Sequence, residues 1–183
     1  MIEIDVDGAA DPRALRNALG RFATGVTVIT TRGPDGRREG LTANSFAALS
    51  LSPALVLWSL GLKAKSLAGF VAAGRFAVHV LRSSQTDLSH RFATPAPDKF
   101  AGLEVVDGAG GVPLLPGVLA RFECRIERTV EAGDHLLFIG LVERLAYDDG
   151  EPLIFSAGQY STPRFLRVAS SQDDLEAVWG GLG

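Results

Sequence analysis

The stretch Gly40 to Pro53, GLTANSFAALSLSP, decides how this chain is read. Thr42, Asn44, Ser45, Ser50 and Ser52 crowd into one strand-like frame that stops at Ser52-Pro53. A plain core strand has no use for so many polar side chains, because each hydroxyl or amide withdrawn from water needs a partner. Two readings stand. The segment is a barrel strand whose hydroxyls satisfy one another, or it is a ligand edge. On the second reading, the Asn44 amide and the backbone offer both donors and acceptors to a polar, planar group. The small residues Gly40, Ala43, Ala47 and Ala48 would let such a group approach the backbone closely.

Length and composition bound the answer. The 183 residues suit one domain with a sizeable core. Hydrophobic residues make up 46% and charged residues 21%, an ordinary globular balance. The formal net charge of -3 leaves no broad basic surface for nucleic acid or acidic lipid. The single Cys124 cannot form an internal disulfide and fits a reducing compartment. With one cysteine, three histidines and no clustered carboxylates, no metal site is expected. The acidic start (Glu3, Asp5, Asp7) lacks the features of a signal peptide. No apolar run reaches the ~18 residues that span a bilayer. A soluble cytoplasmic protein is the expectation.

Working outward from the central stretch, strands dominate. Residues 1–10 read as a flexible arm. Asp11 caps a helix with Pro12 at its first position. Ala14, Leu15, Ala18, Leu19 and Phe22 give that helix one apolar face. Val26 to Thr31 is a β-branched strand, and Gly33-Pro34-Asp35-Gly36 turns the chain back through Arg38 to Ala43. Strands follow over Ser45–Ser50, Ala54–Leu60 and Phe76–Leu81, and a short helix over Lys65–Ala73 ends at Gly74. A second helix runs from Ser84 to about Phe92, with Asp87 completing a capping box. Thr94 to Pro116, rich in Gly and Pro, reads as a surface excursion. Leu119–Val130 and His135–Tyr147 form a long hairpin, and Leu153–Phe155 is a short last strand. A terminal helix over Asp174–Trp179 closes the list, within a tail of residues 166–183. The pattern predicts a mainly β fold, an antiparallel barrel with short peripheral helices, over residues 11–165.

Three further clusters carry chemistry. Lys63, Lys65 and Ser66 stand at a predicted helix start, either as a solvated loop or as a phosphate site of amides, hydroxyl and ammonium. Arg91 and Phe92 supply a cation and an aromatic wall, or an exposed charge and a core ring. Asp134 and His135 open an apolar strand, HLLFIGLV, at a barrel mouth, where the carboxylate can bias the imidazole. The mixture of donors and acceptors around Asn44 suits the pyrimidine edge of a flavin. No Gly-x-Gly-x-x-Gly turn, Walker lysine loop or Gly-x-Ser-x-Gly elbow is present.

Taken together, these pieces resemble the flavin reductase-like family. They are RFATGVTVIT (21–30), GLTANSFAALSLSPALVLWSL (40–60), KAKS (63–66), FAVHVLRSSQTDLSHRFA (76–93), DKFAG (98–102), GDHLLFIGLVE (133–143) and PLIFSAGQY (152–160). The resemblance implies a Greek-key-like, FMN-binding split β-barrel working as a homodimer. It implies an NAD(P)H:flavin oxidoreductase that takes hydride from NADH or NADPH to FMN, or FAD, and supplies reduced flavin to a partner monooxygenase. A flavin-retaining oxidase of the same barrel type, or a non-catalytic flavin-binding protein, is the alternative. Thr42, Ala43, Asn44, Ser45, Ser50, Leu51 and Ser52 would border the flavin. Lys65, Ser66, Arg91 and Phe92 would complete its site. His135 would be the catalytic residue beside the nicotinamide, and Tyr160 would share in binding that substrate. The chain departs from the family pattern at Ala54, where a second proline is frequent, and at His79, where Asn is frequent.

Overall fold

The computed structural model describes residues 11–164. The expected arm over 1–10, the tail over 166–183 and the helix near Asp174 lie outside the described residues. In chain order the elements are α1 (Pro12–Leu19), β1 (Thr24–Gly25), β2 (Thr27–Arg32), β3 (Arg38–Ala43), β4 (Ala47–Leu51), β5 (Ala54–Gly61), α2 (Leu67–Ala73) and β6 (Arg75–Val80). Then come α3 (Thr86–Ala93), β7 (Val106–Asp107), β8 (Pro113–Leu114), β9 (Ala120–Ala132), β10 (His135–Tyr147), β11 (Ile154–Ser156) and β12 (Gln159–Ser161).

Seven strands form one antiparallel sheet in the order β3-β2-β6-β9-β10-β5-β4. The two outermost strands, β3 and β4, are consecutive in sequence and only Asn44, Ser45 and Phe46 join them. Ala43 and Ala47 are four residue steps apart and lie at most about 14 Å from each other, so the two edges of the sheet meet and the sheet is rolled into a split barrel. The hairpin β2–β3 closes as the turn residues dictate, with Gly36 at φ +80 and Thr27 opposite Ala43. Inside the barrel β5 alternates, burying Val56, Trp58 and Leu60. Trp58 faces Phe138 across the strands and stacks on it, with ring centroids 4.5 Å apart and planes at 8°. Phe70 and Phe76 meet Trp58 edge-on. Gly140 sits at a bulge, and the Phe76 ring fills the space a side chain there would need.

A second apolar cluster lies outside the barrel and joins Val26, Val28, Leu81, Phe92, Phe100, Leu115 and Leu153. It explains why β2 is buried on both faces. His79 is wholly buried beside it. Its Nδ1 lies 3.0 Å from the Val28 carbonyl, and its Nε2 accepts the Leu115 N–H at 3.1 Å. This assigns the proton to Nδ1 and links β6, β2 and the loop before β9.

Three expectations are corrected, on α3, on the segment 94–116 and on the last strand. The helix α1 forms with its apolar face, which is uncovered among the described residues: no residue of the helix is buried, and Leu19 and, just beyond the helix, Phe22 are 64% and 78% exposed. Its Asp11 cap forms as expected, with the carboxylate accepting the Arg13 N–H at 2.9 Å. The box at Ser84 and Asp87 does not form; α3 starts after Gln85, whose side chain accepts the Arg82 N–H instead. The segment 94–116 is no mere surface excursion, because Phe100, Val112, Leu114 and Leu115 anchor it in apolar clusters. Finally, the strand expected over Leu153–Phe155 is not the last: β12 follows it and pairs with β11, which pairs with β1, in a small sheet beside the barrel.

Candidate functional site

The barrel's seam is held by a side chain. Ser45 Oγ accepts the Ser59 N–H at 3.1 Å and donates to the Ser59 carbonyl at 3.2 Å, as a paired strand residue would. Just before it, Thr27 Oγ1 donates to the Ala43 carbonyl at 2.7 Å, and Thr42 Oγ1 to the Ser89 carbonyl of α3 at 2.6 Å. Two of the crowded hydroxyls, Thr42 and Ser45, are therefore structural, bonded to backbone groups of Ser89 and Ser59 rather than to one another. Asn44 remains exposed at the turn, Ser52 is exposed, and Ser50 is half-buried. The space beside Gly40 is taken by Phe92, whose Cε1 would lie 2.6 Å from a Cβ there, so no ligand reaches the backbone at that point.

Next to the seam lies a cleft of about 190 Å³ lined by Val26, Thr42, Ala43, Asn44, Ala93, Phe155 and Tyr160. Its walls are apolar and aromatic, and its polar groups are those of the Thr42–Asn44 edge and, opposite, the Tyr160 hydroxyl, which is bonded to Ser89. That donor set, with an amide offering both donor and acceptor beside flat apolar walls, fits one edge of a planar heterocycle. Phe155, Ala93 and Val26 were not legible as lining residues. They come from β11, the end of α3 and the link into β2, which only the fold brings together.

The far end of β5 carries the second group. Gly61 pairs with His135, and the Leu62 N–H donates to the Asp134 carbonyl at 2.9 Å. A Cβ at Gly61 would lie 3.8 Å from His135 Nε2, so the ring rests against the bare strand. His135 Nδ1 is 2.6 Å from Asp134 Oδ1, and this bond holds the Asp134 carboxyl below its usual range. Lys65 and Ser66 follow within five residues of Gly61. Lys65 is exposed, and Ser66 is the N-cap of α2 with its side chain making no cap bond. Ser45, His135, Lys65 and Ser66 thus border one continuous run, Ser59 to Ser66.

Arg91 and Phe92 sit elsewhere, on α3. Arg91 is exposed and donates to the Ala101 carbonyl at 3.0 Å. Phe92 is fully buried against Phe100, with centroids 5.0 Å apart, and is a core ring rather than an open wall. Lys99, of the DKFAG segment, donates to the Gly40 carbonyl at 3.2 Å and the Phe92 carbonyl at 2.7 Å, fastening α3 to β3. Burial lowers its ammonium pKa. Leu51 is exposed on edge strand β4. Cys124 is buried in the barrel with its thiol pushed up to about 12, which keeps it unreactive.

The flavin reductase-like domain model matches residues 19–164, which takes in both groups of residues and the barrel between them. The chain belongs to the flavin reductase-like family. It is 47% identical over 162 residues to the FMN reductase (NADH) SmoA of Agrobacterium fabrum, covering 88% of this chain and 91% of that protein. It is 41% identical over 185 residues to the flavin-dependent monooxygenase reductase subunit HsaB of Rhodococcus jostii, covering 97% and 94%. The solved Streptomyces globisporus NADH:FAD oxidoreductase SgcE6 superposes with a TM-score of 0.80 at 36% identity, covering 93% of this chain and 97% of that one. A longer flavin reductase of Rhizobium meliloti is matched over only 52% of its length, at 43% identity. The split-barrel architecture expected of this family is the one observed. Among the described residues, no helix is long and apolar enough to cross a membrane.

Proposed function

We propose that this member of the flavin reductase-like family carries hydride from NADH or NADPH to FMN, with FAD as an alternative, and hands reduced flavin to a partner monooxygenase. The observation that carries the proposal is the polar edge at Thr42–Asn44, open on an apolar cleft beside the barrel seam. Relatives across the family are named NADH-dependent flavin reductases and monooxygenase reductase subunits.

When bound, the flavin supplies the two-electron acceptor and carrier. The chain's own residues bind and orient. Thr42 to Ser45 would border the ring, with Asn44 donating and accepting, and Ser50 to Ser52 would follow the ribityl chain. Lys65 and Ser66 would hold the phosphate through a cation and a hydroxyl just before α2. His135, steadied by Asp134 and resting on Gly61, would orient the nicotinamide, and Tyr160 would wall its approach. Hydride transfer demands near-attack geometry, so positioning is the main contribution these residues make. The chain works as a homodimer in the cytoplasm on this reading. Exposed apolar residues on edge strand β4, Leu49 and Leu51, support the first part. The free, buried Cys124 suits the second.

The test is NADH consumption with FMN, FAD and riboflavin each offered as sole acceptor. Turnover with free FMN is the expected result. A purified protein that retains flavin and oxidises no NADH with added flavin would favour the oxidase or binding-protein alternatives. Light scattering at micromolar concentration checks the dimer.

A further inference from the structure

We propose that Ser89 is a positioning residue for the hydride donor, tethering Tyr160 across the cleft from Thr42. The inference rests on the reading above that Tyr160 walls the nicotinamide's approach.

Ser89 is fully buried within α3, while its neighbours His90 and Arg91 are exposed. A serine inside a helix is a poor choice for the helix itself, and a buried hydroxyl is costly unless bonded. This one is bonded outside the helix: Ser89 Oγ lies 2.8 Å from the Tyr160 hydroxyl. The Ser89 carbonyl accepts the Thr42 hydroxyl at 2.6 Å. One residue therefore touches both walls of the cleft, β3 through its backbone and β12 through its side chain. Those walls are otherwise unequal. β3 is a full strand of the barrel sheet, whereas β12 is three residues long and, among the described residues, pairs only with β11. The Tyr160 ring is braced by the edge of His90 at 5.2 Å and by Phe155 at 5.7 Å. Neither contact holds its hydroxyl end. The bond to Ser89 does so, and it sets the gap between Tyr160 and the Thr42–Asn44 edge.

The two bonds of Ser89 separate cleanly. Ser89→Ala keeps the carbonyl that receives Thr42, so the flavin-facing edge stays in place, and it removes only the Tyr160 tether. Tyr160→Phe cuts the same tether from the other side and keeps the ring. Each variant should raise KM for NADH about 5–10-fold, as loss of one hydrogen bond allows. Each should leave the flavin dissociation constant within about twofold. The double variant should be no worse than either single one, because both remove the same bond.

The measurement is steady-state kinetics in NADH beside flavin titration and thermal unfolding for Ser89→Ala, Tyr160→Phe, the pair, and Tyr160→Ala. If Ser89→Ala weakens flavin and NADH alike, or the double variant shows additive losses, Ser89 is only a packing residue and the proposal fails. If both tether variants behave as wild type while Tyr160→Ala raises KM for NADH, the tether fails and the reading of Tyr160 stands. If Tyr160→Ala also leaves NADH use unchanged, that reading falls and the tether with it.

Discussion

Ser45 stands opposite Ser59 as though it were a residue of β4, its hydroxyl replacing the backbone groups that a strand would supply. The barrel is split at this point, and the side chain of one serine bridges the split. Ser45→Ala leaves the Ser59 N–H and carbonyl without that partner. Two neutral hydrogen bonds at a half-buried site should cost roughly 1–2 kcal/mol. In a chain of this size that lowers Tm by about 3–6 °C. Flavin affinity should fall as well, because the adjoining Asn44 loses its anchor. Calorimetry and flavin titration on the variant check both; unchanged flavin binding would detach the seam from the site.

Gly40 tests how α3 is seated. A Cβ at this position would lie 2.6 Å from Phe92 Cε1 and 3.2 Å from Phe100 Cζ. Both rings are buried, so the collision falls on the second core cluster. Gly40→Ala should destabilise by about 1–3 kcal/mol and disturb the cleft through α3. Gly25→Ala, at a glycine with nothing within 4 Å of the added carbon, should be near neutral in urea unfolding.

His79 gives the fold a pH dependence. Burial pushes its imidazole down to about 4 from an ordinary 6.5, and the nearby Arg121 charge adds to the depression. The unfolded chain therefore binds a proton first. This contribution is fully present above about pH 6.5 and erodes as pH falls toward 4. At pH 5 the loss should be roughly 2 kcal/mol. Urea unfolding at pH 7 and pH 5, for wild type and His79→Asn, measures it. The drop between the two values should shrink in the variant.

Lys65→Ala and Ser66→Ala should weaken FMN binding and leave riboflavin binding little changed. A charge-assisted contact to a phosphate dianion is worth about 1.5–3 kcal/mol. Titration of both flavins against both variants decides it. Equal losses for FMN and riboflavin would remove Lys65 and Ser66 from the phosphate.

His135→Ala should lower kcat/KM for NADH tenfold or more, about 1.4 kcal/mol of transition-state binding, with little change in flavin affinity. Hydride transfer needs no proton from the imidazole, so activity should be damaged rather than abolished. Stopped-flow reduction of bound flavin separates the outcomes. Unchanged reduction by NADH would make His135 a turn residue held by Asp134.

Much of the fold was legible because it is written in local chemistry. The β-branched run of β2, the Gly33–Gly36 turn, the Asp11 cap, and the Gly74 stop at φ +66 each act over a few residues. The clusters at Thr42–Ser52, Lys65–Ser66 and Asp134–His135 stood out for the same reason, polar groups gathered where periodicity called for apolar ones. What each polar group does was not legible. Ser45 and Thr42 spend their hydroxyls on Ser59 and Ser89, partners 14 and 47 residues away. Phe92 fills the space beside Gly40. Ser89 gave no signal at all, since a serine on a helix reads as a surface residue until its neighbours are known. The apolar face of α1 was legible, but periodicity reports an amphipathic helix and not what covers it. The sequence by itself determined the strands, the turns and the residue types at the site. The tertiary structure alone decided which hydroxyls are free for a ligand, because hydrogen-bond satisfaction and burial depend on groups that only the closed barrel brings within reach.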